Sequence, residues 1–432
     1  MFGRAVPLPR RALFRRVLRV GSVSARHAAR SGWRRRDRLD GLRRAIEELG
    51  PSWVKVGQLV AASPGSFPPA VVDALKGLHD GVAPQSPEAT TAVLDSELAS
   101  WRTDFLDFSL MPVAAGSVAQ VHAARLADGQ HVAVKIQRDR IVDSLEADLR
   151  LLRRVASSAV RVRPQLDALR IVEAIDDLAV GLEEELDFRR ELENMALLTP
   201  LMTSWGIRVP RTIERLSGPR VLVMEWVDAV PVRDPAIVAA KGGRPDDILR
   251  RVLGSLLESA FVLGRFHADG HGGNVMVGDD GQPVLVDFGI VGRVTPDQQK
   301  ACAVMLDGIF TGRFEMLGLG MAMLPEMAHA PPEAGAALAE VAGRHITGSL
   351  SDMKMGPLLR EALETASAHG VPLPASMVLL FKQILYFDGL AAVLAPDFDL
   401  FGDGSRYSPM LTAVATGAPM TDRPWSELAL GA

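Results

Sequence analysis

Residues 267–289 read HADGHGGNVMVGDDGQPVLVDFG. Asp269 and Asn274 stand five positions apart in a glycine-rich loop. Two short apolar runs follow, Val275 to Val277 and Val284 to Val286, around Asp279-Asp280-Gly281, a hairpin turn signal. Asp287-Phe288-Gly289 comes directly after the second run. An aspartate and an asparagine at this spacing, then Asp-Phe-Gly beyond a strand, are the groups that orient a phosphoryl acceptor (Asp269) and hold magnesium against phosphates (Asn274 and Asp287). A lone Asp-Phe-Gly is frequent by chance, so the ordered context carries the weight. His267 and His271 lack a third ligand at a convincing spacing for zinc, and are read as ordering the loop.

Upstream, Val132-Ala133-Val134-Lys135 lies on the second arm of a hairpin that turns at Ala127-Asp128-Gly129-Gln130. The chain has only seven lysines, so a lysine here is not a commonplace. Lys135 is expected to neutralise the α- and β-phosphates, and Glu191, on a helix placed at 183–198, to pair with it. The run VLVMEWV at 221–227 reads as a buried strand. Its end would offer backbone groups of Glu225 and Val227 to adenine, with Met224 behind the base. These elements, in kinase order, predict an α+β chain with a two-lobed protein-kinase-like fold and ATP and Mg2+ as cofactors.

Length and composition agree with a folded globular chain: 432 residues, 48% apolar. Its one cysteine, Cys302, excludes a disulfide framework and suits a reducing compartment. The nearest approach to a membrane span, Met377 to Leu394, is interrupted by Lys382, Gln383 and Asp388, so no transmembrane helix is expected. Residues 1–36 carry eleven arginines and no acid; with a chain total of −4, the remainder carries −15. Leu13, Phe14, Val17, Leu18 and Val20 are interleaved with Arg15, Arg16 and Arg19. That pattern predicts a short amphipathic basic helix able to lie on an anionic membrane. The alternatives are a solvated or disordered arm, a helix packed on its own body, or an Arg-rich transit segment. An acidic body argues against nucleic acid as a partner. The expected location is cytoplasmic, with peripheral contact at the inner face of a membrane. Residues 37–108 read as helices, broken at Gly50-Pro51 and at a Phe67-Pro68-Pro69 loop, and 139–200 return to helix.

The chain departs from ordinary kinases in three places. The phosphate-covering loop is Ala114-Ala115-Gly116-Ser117-Val118-Ala119 rather than G-x-G-x-x-G, and alanines narrow the allowed backbone. No A-P-E segment follows Asp287; Thr295-Pro296-Asp297 instead reads as a capped helix start. The stretch from Lys135 to Glu191 holds inserted helices.

These departures, with the motifs, make the chain resemble the UbiB (AarF, or ADCK) family of atypical kinases over residues 40–400. The hallmark K-x-G-Q stands as Lys55-Val56-Gly57-Gln58, the alanine-rich loop as AAGSVAQVH at 114–122, and E-x-D as Glu185 and Asp187. The H-x-D-x-H-x-G-N motif occupies 267–274. Gly116 departs from the family's usual third alanine, and the two transmembrane helices that end many members are not found. The resemblance implies that the K-x-G-Q helix closes over the active site, with Lys55 against Glu185 and Asp187. It implies an ATP-dependent enzyme supporting isoprenoid lipid or quinone metabolism. The bottom-up reading alone reaches a MgATP-binding phosphotransferase or ATPase. A genuine protein kinase and a non-catalytic nucleotide-sensing scaffold are the alternatives. The expected divisions are a basic arm (1–36), a helical extension (37–108), an N-lobe (109–228) and a C-lobe (229–432).

Overall fold

The computed structural model describes residues 10–30, 35–61, 69–75, 78, 82–163, 171–313, 315–325, 327, 330–345, 355–371, 375–398, 404–418 and 424–430. The expected Phe67-Pro68 loop lies outside them; Pro69 opens a helix. Two compact units divide the chain: one of 1–192 with 211–226, the other of 193–210 with 227–432.

The first unit begins with helices α1 (Arg10–Arg30), α2 (Arg35–Leu49), α3 (Pro51–Ala61), α4 (Pro69–Leu75), α5 (Pro87–Glu97) and α6 (Trp101–Asp104). Strands β1 (Phe105–Ala115), β2 (Ala119–Leu126) and β3 (His131–Gln137) follow. Then come α7 (Ile141–Val162), α8 (Ile171–Glu185), the start of α9 (Phe188–Ser204), whose residues from Glu193 on belong to the second unit, and β4 (Val221–Glu225). The four strands form an antiparallel sheet in the order β1-β2-β3-β4. Gly129, at φ +88, supplies the left-handed residue that the β2–β3 turn needs. Val132, Val134 and Ile136 alternate along β3, and each is 0% exposed, packed with Val93, Leu94, Val221 and Val223. The two-residue period of a strand therefore puts Lys135 on the opposite face, in register with Val121 and Leu222.

The helix expected at 183–198 is two helices. Asp187 ends the run: its carboxylate accepts from the Arg189 N–H at 3.2 Å, while the Phe188 N–H leaves for the Pro219 carbonyl. An aspartate that satisfies an early N–H starts a new helix.

The described part of the basic arm, α1 and the start of α2, is helical, and α1 docks on its own body. Val23 is 3% exposed in a cluster with Ile46, Trp53 and Leu75. Arg16 reaches buried Asp148 on α7, with Nε at 2.5 Å, and its Nη2 donates to Ser52 of α3 at 2.8 Å. Arg26 and His27 both bond Glu48, whose carboxyl His27 and Arg26 hold below the usual range. Phe14, Val17 and Leu18 remain exposed on the outer side.

In the second unit, β5 (Ala229–Pro231), α10 (Pro235–Ala240) and α11 (Pro245–Phe261) precede β6 (Arg265–His267), β7 (Val275–Gly278), β8 (Pro283–Leu285) and β9 (Val291–Arg293). Helices α12 (Pro296–Phe310), α13 (Glu315–Met323), α14 (Pro332–His345), α15 (Met355–Ala368) and α16 (Ala375–Leu394) follow, with short helices at Ser408–Thr416 and Trp425–Leu430. The strands pair as β5-β7-β8 and β6-β9, all antiparallel. Thr295 and Gln298 form a capping box at the start of α12.

By length and composition α16 is apolar enough to cross a membrane: Met377–Leu394 has a mean hydropathy of 1.7. Lys382, Gln383 and Asp388 interrupt that window, as the sequence reading expected, and one such helix by length and composition alone makes no clear span. In the fold, Lys382 and Gln383 turn to the loop at 268–270.

Candidate active site

In the first unit, Lys135 Nζ donates to both carboxylate oxygens of Glu191, each at 2.9 Å. The side chains are 14% and 4% exposed, and the Phe188 ring lies 5.4 Å from the ammonium. A carboxylate this buried needs its cation, because an unpaired buried charge is costly.

The alanine-rich loop is a turn between β1 and β2. Ala114 and Ala115 pair with Val121 and Gln120, and the Gly116 N–H closes on the Ala119 carbonyl at 2.8 Å. Buried Arg138 holds the turn from beneath. Its N–H meets the Val118 carbonyl and its Nε the Gly116 carbonyl, each at 2.8 Å. Gly116 is not in a left-handed conformation, and a Cβ there would meet only the Ala119 carbonyl oxygen, at 3.5 Å.

Helix α3 rests on this loop. Ser117 Oγ donates to Gln58 Oε1 at 3.3 Å, and Val56 and Val118 share one apolar cluster. Lys55 forms an ion pair with Glu185, their side chains 11% and 18% exposed. Asp187, expected beside Lys55, is instead held by Arg189, with Nη2 to Oδ2 at 2.6 Å. The hydrogen bond from Arg189 keeps the Asp187 carboxyl below the usual range, against some desolvation. At the end of β4, the Glu225 N–H donates to the Arg211 carbonyl at 2.8 Å, so it is not the group a base would meet. Met224 is half-buried, and Val227 opens the second unit.

In the second unit, pairing of β6 with β9 sets His267 against Val291 and brings the loop at 267–274 beside Asp287. His267 Nε2 lies 2.8 Å from the Asp287 carbonyl, and its Nδ1 is 3.3 Å from the Asp269 N–H. A carbonyl can only accept and an N–H can only donate, so the neutral ring carries its proton on Nε2. Burial holds the His267 pKa below that of a free imidazole, although the Asp269 and Asp287 carboxylates pull the other way. The Phe288 ring stands edge-on to His267 at 4.9 Å and is fully buried.

Asn274 Nδ2 donates to the Asp269 carbonyl at 2.8 Å, and the Val286 N–H donates to the Asn274 carbonyl. Asp287 has φ +61, a left-handed conformation that costs a non-glycine residue about 1 kcal/mol or more and clusters at functional sites. Its side chain is exposed. No group of three or more His, Cys, Asp or Glu among the described residues is placed to hold an ion unaided. The oxygen donors of Asp287 and Asn274 fit magnesium, a hard ion that keeps waters and substrate phosphates as most of its ligands.

Two residues of this constellation escape the sequence reading as site groups. Gln383 of α16 is buried, accepting from the Gly270 N–H at 2.7 Å and donating to the Ala268 carbonyl at 2.6 Å. Lys382 Nζ is 3.5 Å from Asp269 Oδ1 and 5.1 Å from the Tyr386 ring centroid. Burial works against the Lys382 ammonium, yet Asp269 and Tyr386 together hold its pKa above the ordinary lysine value. The signal that could have found them is an adjacent Lys-Gln pair inside a mostly apolar helix.

Residues 77–316 match the ABC1 atypical kinase-like domain, and residues 338–399 match the UbiB helical domain. An uncharacterized protein of Mycobacterium tuberculosis is 33% identical over 375 residues, covering 84% of this chain and 76% of its own. The "Probable protein kinase UbiB" of Pseudomonas putida is 32% identical over 375 residues, covering 85% and 69%. Among solved structures, a Mycobacterium tuberculosis protein in complex with erythromycin is 24% identical with a TM-score of 0.48, covering 82% of this chain and 94% of that one.

Proposed function

Because the chain belongs to the UbiB family of ABC1 atypical kinase-like proteins, we propose that it binds MgATP and acts as an atypical ATPase or phosphotransferase. The observation that carries this reading is the two-pronged Lys135–Glu191 pair, which holds a phosphate-neutralising ammonium in place. In this reading Lys135 clamps the α- and β-phosphates, and residues 114–119 cover them. The Glu225 carbonyl and Val227 meet the adenine, and Asn274 and Asp287 hold magnesium. Bound magnesium would neutralise charge developing on the phosphates. Asp269 orients the attacking hydroxyl or water, and His267 fixes the backbone between Asp269 and Asp287 in one arrangement.

The acceptor is not a docked protein. Supporting this, α12 begins at Pro296, seven residues after Gly289, and the Lys55–Glu185 pair fastens the K-x-G-Q helix across the alanine-rich loop. The family name carried by relatives suggests work in quinone or other isoprenoid lipid biosynthesis. The exposed Phe14, Val17 and Leu18 on an arginine-rich helix favour action at an anionic membrane surface.

The test is ATP hydrolysis with and without anionic vesicles and quinone-like phenols, beside label transfer to a generic protein substrate. Hydrolysis without transfer supports the reading; strong transfer to the protein substrate by the wild type overturns it in favour of a protein kinase.

A further inference from the structure

The loop HADGHGGN has no lysine or arginine of its own. Phosphoryl transfer spreads negative charge over the outer oxygens of the γ-phosphoryl group and calls for cations at that end of the nucleotide as well. Lys135 is committed to Glu191 in the first unit. In the second unit, the ammonium at the acceptor-orienting aspartate comes from α16, 113 residues further along the chain.

We propose that Lys382 is a γ-phosphate-binding residue, supplied to the catalytic loop by the helical domain; this rests on the MgATP reading. Lys382 rests against Asp269 at 3.5 Å, an ion pair long enough to be exchanged. When MgATP is present, the ammonium turns from Asp269 to the terminal phosphate oxygens, which frees the Asp269 carboxylate to accept a hydrogen bond from the acceptor. Three features fit this role. The Lys382 side chain is 22% exposed, so it keeps a path to a ligand rather than being sealed in. Tyr386, one turn on, lies beneath the ammonium and supports it in either position. Gln383 fixes the loop to the helix through two backbone groups, so the reach of Lys382 to Asp269 does not depend on the Lys382 pair itself. ADP lacks the terminal phosphate and gains nothing from Lys382.

The experiment is a titration of wild type, Lys382→Met, Lys135→Ala and Asp269→Asn with MgATP and MgADP. Lys382→Met should bind MgATP roughly tenfold or more weakly, the size of one charge-assisted contact, with MgADP affinity unchanged. Lys135→Ala should weaken both nucleotides. Asp269→Asn should strengthen MgATP binding, and that gain should vanish in the double variant with Lys382→Met. Unchanged MgADP affinity also certifies that Lys382→Met is folded; Lys382→Gln repeats the test with a polar side chain. Equal losses for ATP and ADP in both Lys382 variants would make Lys382 a structural support and overturn the proposal. No loss for either nucleotide would overturn it too. If the wild type binds neither nucleotide, the MgATP reading itself fails first.

Discussion

Lys55 on α3 and Glu185 at the end of α8 form an ion pair between side chains only 11% and 18% exposed, 130 residues apart in sequence. A pair this far from water is costly to open from one side, because the remaining charge keeps its burial and loses its partner.

Lys55→Ala should therefore destabilise the protein by roughly 3 kcal/mol. The double variant Lys55→Met, Glu185→Leu should recover most of that loss, since replacing both partners removes the orphaned charge. Denaturant unfolding of the two variants checks it. A loss of stability equal in both would assign the cost to packing instead. Loosening α3 should also change ATPase activity or expose autophosphorylation.

Legibility in the sequence followed distance along the chain. The loop at 267–274, the hairpin at 275–285 and the cap at Thr295 are local, so spacing and turn residues suffice to place them. Lys135 and Glu191 are 56 residues apart, and the pair is legible only because strand and helix each carry a motif. The break before Phe188 is not legible, because Asp187 reads equally as a site acid or a cap. Lys382 and Gln383 act on residues 113 and 115 positions away, and nothing periodic announces that. Arg16 likewise meets Asp148 across 132 residues, a contact that depends on the packing of α1.

Arg16→Ala leaves the fully buried Asp148 without its guanidinium and should cost about 3 kcal/mol. In contrast, Phe14→Ser, Val17→Ser and Leu18→Ser together alter exposed positions and should leave the melting temperature within a degree or two. If the outer side of α1 meets lipid, this triple variant should lose co-sedimentation with anionic vesicles. Unchanged co-sedimentation would rule that surface out.

Stability should fall as pH drops below about 6.5, the unfolded histidine value. Burial depresses the His267 pKa in the folded state, and that of His122 as well, so the unfolded chain binds more protons in this range. Stability is thus complete above the unfolded pKa and is lost as pH falls toward the folded values. For His267 the opposing charges are Asp269 and Asp287, which lessen the effect. Thermal melts from about pH 7.5 to 5.5 should show the slope, and His267→Asn should flatten it. An identical slope in that variant would contradict the assignment.

Gly116→Ala should be tolerated and add about 0.4–1 kcal/mol, because the backbone there is open to alanine and the unfolded chain loses freedom. A lowered melting temperature would show that the turn needs glycine. The same variant, titrated with MgATP and MgADP, reads whether residue 116 sets nucleotide preference.

The most direct test of the central claim is MgATP binding by calorimetric titration of wild type, Lys135→Ala and Asp287→Asn. Lys135→Ala removes the phosphate clamp and Asp287→Asn a charge that would hold the metal, so each should weaken binding about tenfold or more. Asp287→Asn should also abolish the difference between titrations with and without magnesium. Affinity and magnesium dependence equal to wild type in both variants would contradict the kinase-like site.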